Sequence, residues 1–441
     1  MTAHPRPTLA APPPARILPR NNQRLANGMR ATFVHAGAVP MASVRLVIRT
    51  GSADVPANQK WLDRFTHEYL REGTTSLDAS SFADTLAGLG GRLTIDADEH
   101  TTVLRTEVLA ERVPEAIALL ADVARHPRFP VSEAERLRND LRRSLDLALA
   151  QPSYLTFAAF RGALYGDSHP YGRVIPSPVA FEGFDATASR AFWEAETGAQ
   201  RALLLVGGVF DEVAAMDAWR GAFEDWDSGP AATSNPPSPA TTRSIRLIDR
   251  PGAEQSTMYV GRTVPDPTHP DYVPLEVTNS LLGGSFHSRI TMNIRETNGY
   301  TYSPHAYITS RPQDAYWIEV ADVTTNVTGP AIHEVFAETE KLRAEAPDLE
   351  ELMGIQNYVA GSFMLRQATP GGILDHLEFL DLHGLDEAYT ASYVERVRAV
   401  TPDDVRRLAE QYLGTEAMTI AITGDRSVID AQLAEYGTPS T

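Results

Sequence analysis

Apolar positions along the chain recur with two periods. In MASVRLVIRTGS (41–52) they alternate with polar ones, the pattern of a half-buried strand. RLTIDADEH (92–100) and TTVLRTEVLA (101–110) alternate in the same way and predict a strand pair. A 3.6-residue period predicts helices around 58–72, 79–89, 111–125 and 131–150, with more helix to about 198. The apolar run RALLLVGG (201–208) and an amphipathic helix close this unit. A similar succession follows: a strand over 254–263, helices over 272–282 and 287–297, a strand pair over 305–323, then long helices to about 413. In TPDDVRRL, Thr401 is the expected N-cap, with Pro402 at the first helical position and acids in the first turn. Runs of strands and runs of helices, rather than strict alternation, indicate an α+β sheet-and-helix layer.

The two successions align. RALLLVGGVFDEVAAMDAW from Arg201 and AMTIAITGDRSVIDAQLAEY from Ala417 match at an offset of 216, with Leu204 on Ile420, Val206 on Ile422, Gly208 on Gly424 and Val213 on Ile429. PEAIALLADV from Pro114 and GPAIHEVFAE from Gly329 match at 215, with Ile117 on Ile332 and Leu120 on Val335. Two separate segments at nearly one offset indicate an internal duplication. Between the halves lies GPAATSNPPSPATTRS, which lacks apolar periodicity and predicts a solvated, semi-extended tether. The expected organisation is a Pro-rich leader over 1–20, one domain over 21–228, a linker over 229–244 and a second domain over 245–441.

Composition narrows the function. The 441 residues carry 39 basic and 57 acidic side chains, a net charge of −18. That balance argues against general binding to nucleic acid or to anionic membranes. No apolar run is long enough to cross a bilayer. The absence of cysteine excludes a thiol nucleophile and any Cys-ligated metal site. Together with the Pro-rich leader it leads to the expectation of a periplasmic location, with the cytoplasm as the alternative. There is no phosphate loop, no G-x-S-x-G elbow and no dinucleotide fingerprint.

Two stretches carry candidate chemistry. The first is WLDRFTHEYLREGT (61–74), on a predicted helix after the strand ending in RTGS. Here the chain resembles the pitrilysin/insulinase-type zinc metallopeptidases, including the mitochondrial processing peptidase subunits. Those proteins carry H-x-x-E-H on such a helix, followed by Gly-Thr like Gly73-Thr74. Two His at i and i+4 face one side and bind zinc, and the Glu activates water. Aligned on Gly73-Thr74, this chain reads R-F-T-H-E. Arg64 takes the place of the first His, His67 that of the general base and Glu68 that of the second His. The family's third ligand, a Glu on a later helix, aligns with Ser144 in ERLRNDLRRSLDLAL. A guanidinium offers only donors and cannot ligate a metal. The resemblance therefore implies a family member without its own catalytic zinc. Arg64 and Glu68 themselves read as a solvated face with an i,i+4 ion pair contributing about 0.3–0.5 kcal/mol. The alternative sets the guanidinium where zinc would sit, neutralising nearby acid.

The second stretch is LLGGSFHSRITMNIRETNGYTYS (281–303). It resembles the family's C-terminal signature, a Gly-containing turn, S-R-L, then R-E-x-x-G-x-x-Y. The matches are Gly283, Gly284, Ser288, Arg289, Arg295, Glu296, Gly299 and Tyr302. The resemblance implies that Arg295 and Tyr302 reach across a chamber to a zinc site, hold peptide backbone and stabilise an oxyanion. A permanent multi-donor cation and a neutral phenol suit that task. Gly283 and Gly284 are expected to line the cavity at a turn. His169 in DSHPYGR resembles a family segment but reads as a structural turn, and His100, His126, His287, His305 and His333 lack ligand spacing.

One reading reconciles the stretches. The resemblance implies two homologous sheet-and-helix domains of about 200 residues each, forming half of a clamshell. It implies a non-catalytic subunit that completes a heterodimeric metallopeptidase acting on unfolded peptides. A homologous H-x-x-E-H partner would hold the zinc, and this chain would bind none. The alternative is a structural or binding subunit of a larger complex with no part in proteolysis.

Overall fold

The computed structural model describes residues 17–233 and 235–440. Most of the expected leader therefore lies outside the described residues, and Arg20 already opens the first strand. The N-terminal half builds a sheet from β1 (Arg20–Arg24), β2 (Arg30–His35), β3 (Met41–Ile48), β4 (Thr94–Ala97), β5 (Thr102–Leu109) and β6 (Ala202–Gly208), in the order β1-β2-β6-β3-β5-β4. The C-terminal half builds one from β7 (Ser244–Asp249), β8 (Gln255–Val264), β9 (His305–Arg311), β10 (Asp314–Thr324) and β11 (Thr419–Gly424), in the order β7-β11-β8-β10-β9. Apart from the extra edge strand β1, the two orders are the same. In each, the last strand inserts parallel to the first of the repeat and antiparallel to the second. Leu204 pairs with Leu46, and its counterpart Ile420 pairs with Val260. The fold is a duplicated α+β arrangement, as the offset comparison expects.

The alternation in β3 predicts a half-buried strand, but every residue from Ala42 to Ile48 is buried. The reason is reciprocal cover. One face of β3 (Ala42, Val44, Leu46, Ile48) joins the core of its own half, with Ile117 and Leu120 on helix Val113–Arg125. The other face is capped by helix Pro370–His383 of the opposite half. Val47, Val103, Leu203 and Leu205 join that half's core beside Leu374 and Leu377. Arg45, only 3% exposed, extends from the same face. Its guanidinium lies 2.6 Å from Asp375 and 2.6 Å from Glu378, and donates to the Gly371 carbonyl at 2.9 Å. So Arg45 is buried because it meets acids on a helix more than 300 residues away.

The opposite exchange is also present. Helix Pro152–Tyr165 of the first half packs Phe160, Leu164 and Tyr165 against Tyr259, Tyr316, Ile318 and Ala421 of the second sheet. The Thr156 and Thr423 hydroxyls lie 2.8 Å apart, within hydrogen-bond distance. Both exchanged helices start with proline in the first turn, where the missing N–H is harmless. Both sheets are thus covered on two faces, which suits the near-continuous apolar run of β6.

The predicted tether contains no helix or strand among its described residues before β7. It is held at several points rather than free. Arg201 donates to the carbonyls of Pro230 (3.3 Å) and Ala231 (3.1 Å), and His169 Nε2 lies 2.9 Å from the Asn235 carbonyl.

Candidate functional site

Helix Leu62–Tyr69 begins abruptly. Trp61 precedes it at φ +79°, in the left-handed region that bulky residues avoid, so the predicted helix over 58–72 is broken at this point. Packing holds the strain: the indole is buried and stacks on Phe181 with ring centroids 6.0 Å apart. Helix Ala134–Ala150 runs against this helix. Between them and β4 opens a cavity of about 880 Å³. Arg64, His67, Glu68 and Ser144 all line it. The structure therefore brings together the four positions aligned with the zinc motif, although Ser144 lies far along the chain.

Their chemistry does not fit a zinc ion. Arg64 is exposed to the cavity, with its guanidinium 4.5 Å from the Trp61 ring centroid. The expected Arg64–Glu68 pair is not formed. Glu68 turns to Arg71 instead, at 3.6 Å. His67 is buried and edge-on to Trp193. Its Nε2 lies 3.0 Å from Thr102 Oγ1, which donates its only proton to the Thr50 carbonyl at 2.9 Å. This pairing assigns the proton to Nε2 and leaves the ring's lone pair on Nδ1. Burial, with Arg71 and Arg64 nearby, lowers the ring's pKa to about 3, so His67 is neutral. Ser144 Oγ donates back to the Asp140 carbonyl at 2.9 Å, an ordinary helical hydroxyl bond. Among the described residues no group of three or more His, Asp or Glu side chains is arranged to hold a metal ion.

Sequence reasoning missed part of the cavity wall. Glu99, just beyond β4, forms ion pairs with Arg161 and, at 3.5 Å, with Arg311 of the opposite half. The two guanidiniums overcome the effect of burial and hold the Glu99 carboxyl far below its usual range. Asp314 accepts from Tyr165 at 2.6 Å and pairs with Arg311 at 3.4 Å. This buried network joins the halves at the cavity margin. No local spacing marks it, because its members come from three separated segments.

The second stretch forms a separate cavity of about 390 Å³ lined by Gly283, Gly284, Phe286, Arg295, Tyr302 and His305. Helix Tyr272–Asn279 passes into a π-helical turn over Ser280–Gly284, and a second π-helical turn spans Met292–Thr297. Such widened turns recur at functional sites. Gly283 and Gly284 are needed for close approach. A Cβ on Gly283 would lie 2.6 Å from the Ala306 Cβ, and one on Gly284 2.5 Å from Asn279 Nδ2. The Arg295 guanidinium lies 4.5 Å from the Phe286 ring and 5.0 Å from the Tyr302 ring. It is aligned further by Glu296 at 3.2 Å. Tyr302 is 81% exposed and Phe286 59%, so the group presents two aromatic rings to solvent, with the partly covered guanidinium beside them. Sequence reading singled out Arg295 and Tyr302; Phe286 stood in the same run without a signal of its own.

Comparison with known proteins follows the same division. The family model described as "Insulinase (Peptidase family M16)" matches residues 32–169, and that described as "Peptidase M16 inactive domain" matches 184–359. The uncharacterized zinc protease YmxG of Bacillus subtilis (strain 168) is 22% identical over 342 residues, covering 77% of this chain and 82% of its own. The probable mitochondrial-processing peptidase subunit beta of Arabidopsis thaliana is 21% identical over 416 residues, covering 91% and 77%. The crystal structure of a peptidase M16 inactive domain from Pseudomonas fluorescens superposes with a TM-score of 0.83 at 22% identity, covering 92% of this chain and 98% of that one. At that identity the likeness is one of fold.

Proposed function

Because the chain belongs to the insulinase-type M16 peptidase family, we propose that it is the non-catalytic, activity-complementing subunit of a two-chain zinc peptidase. One contrast carries the reading. The cavity with the four zinc-motif positions holds a guanidinium, a proton-bearing imidazole nitrogen, a carboxylate engaged by Arg71 and a helix-bonded hydroxyl. The second cavity keeps the Arg295 guanidinium, partly covered, beside the exposed Tyr302 ring.

In this reading a homologous chain with H-x-x-E-H supplies the zinc and the water-activating carboxylate. The two chains close on each other, and Arg295 and Tyr302 enter the partner's site. The guanidinium and phenol would donate to the peptide carbonyl as charge grows on its oxygen, a role for preorganised donors. Phe286 and Glu296 keep the guanidinium aimed, so little reorganisation is needed at that moment. The substrate is an unfolded peptide, extended along a sheet edge of the partner. The exposed Phe286 and Tyr302 rings favour closure against another protein, since aromatics and arginine are enriched where interfaces bind.

The test is reconstitution with an H-x-x-E-H homologue from the same source. With Arg295→Ala in this chain, the mixed enzyme should lose kcat by about a hundredfold or more while the chains still associate. Unchanged cleavage would favour a purely structural subunit.

A further inference from the structure

The wall of the larger cavity contains six acids and five bases, yet its charges are unevenly matched. Asp96 is paired with Arg105, and Asp140 with Arg143 and Arg136. Glu68 is paired with Arg71, and Glu99 with Arg161 and Arg311. Asp98 accepts from the backbone N–H groups of His100 (2.6 Å) and Thr101 (2.7 Å). Asp63 is buried with one oxygen lacking a partner, a position that favours its protonated form. Three cations remain without a carboxylate at ion-pair distance among the described residues. Arg64 lies on Trp61. Arg173 reaches only the carbonyls of Asp167 (3.4 Å) and Ser168 (2.7 Å). Lys60, at the cavity wall, has its pKa lowered by burial, against which stand only the more distant fields of Asp63 and Glu99.

We infer that this cavity, where relatives would place a metal cation, is instead a receptor for a peptide carboxylate, with Arg64 as its principal contact and Lys60 and Arg173 beside it. Arg64 puts a permanent positive charge at a position aligned with a zinc ligand, so the pocket keeps a cationic centre without a metal. The aromatic surface of Trp61 supports the guanidinium face and leaves its N–H edge free for a carboxylate. The left-handed backbone at Trp61 fixes that support at the first turn of the helix. This inference rests on the reading of the chain as a peptide-handling subunit. It extends that reading by giving the chain a holding site for peptide ends or acidic side chains, apart from the Arg295–Tyr302 cavity.

The experiment measures binding of fluorescent, unstructured peptides to the full chain alone at low salt. Three peptides share one neutral sequence: the first ends in a free carboxylate, the second in an amide, and the third is amidated but carries one internal Glu. The free acid should bind about tenfold or more tighter than the plain amide. Arg64→Ala should abolish that difference, Arg64→Lys should keep part of it, and Arg220→Ala on the remote surface should leave it intact. Recovery by the internal Glu assigns side-chain carboxylates as ligands; its absence assigns the chain terminus. Equal binding of acid and amide, no binding of either, or a difference that survives Arg64→Ala overturns the inference. None of these outcomes bears on cleavage by the reconstituted pair, which tests the complementing role separately.

Discussion

His67 Nε2 lies 3.0 Å from Thr102 Oγ1, whose proton is already given to the Thr50 carbonyl. The ring nitrogen therefore carries a hydrogen and points into the fold. With Arg64 and Ser144 offering no metal-binding atom of use, the purified chain should contain far less than one zinc per molecule by elemental analysis. Arg64→His, Glu68→His and Ser144→Glu introduced together should bring zinc to about one per chain, because the three positions face one cavity. Each change alone should not. Stoichiometric zinc in the unaltered chain would contradict this account.

The same buried ring predicts an acid sensitivity. In the unfolded chain His67 takes up a proton near pH 6.5; in the folded chain burial holds this off until about pH 3. Between those values the unfolded state binds one proton more, so stability falls as pH falls. The slope from this residue is about 1.4 kcal/mol per pH unit. His67→Gln keeps a donor for Thr102 and removes the titration. Urea unfolding between about pH 6 and pH 4 should show a flatter decline for the variant than for the parent. Equal slopes would show that the ring is not held neutral.

Arg45 ties the first sheet to the second half's helix through Asp375 and Glu378. Arg45→Ala strips a buried cation from Glu378, itself half-covered, and opens a gap under the helix. The expected loss is about 2–3 kcal/mol, read as a lower urea midpoint. Arg220→Ala, in an exposed pair with Asp217, should stay within about 0.5 kcal/mol of the parent.

Phe286 offers a finer test of the second cavity. Phe286→Ala removes one aromatic surface from Arg295 without removing either donor. In the reconstituted enzyme it should lower kcat less than Arg295→Ala does, by about tenfold, with circular dichroism of the chain unchanged. A loss as large as that from Arg295→Ala would make Phe286 a contact in its own right.

Much of the fold was legible because duplication repeats its signal. Leu204 and Ile420 fall at one offset, and they occupy equivalent places in two sheets of one topology. The exchange of helices was not legible. Alternation in β3 shows that every second residue is apolar but not what covers the others. Arg45 reads as a solvent-facing strand residue until Asp375 and Glu378 are brought to it from the other half. In the zinc-motif cavity, the spacing identified Arg64, His67, Glu68 and Ser144, yet placed Glu68 on Arg64. The i,i+4 rule assumes a free helical surface, whereas Trp61 attracts the guanidinium and Arg71 competes for the carboxylate. The Glu99–Arg161–Arg311 network escaped notice because only the tertiary fold assembles it.

The complementing role is decided by peptide cleavage in three samples: this chain, a zinc-motif homologue from the same source, and their mixture, with zinc measured in each. Cleavage is expected in the mixture only, with the zinc in the homologue. Full cleavage by the homologue alone, unaffected by this chain, would contradict it.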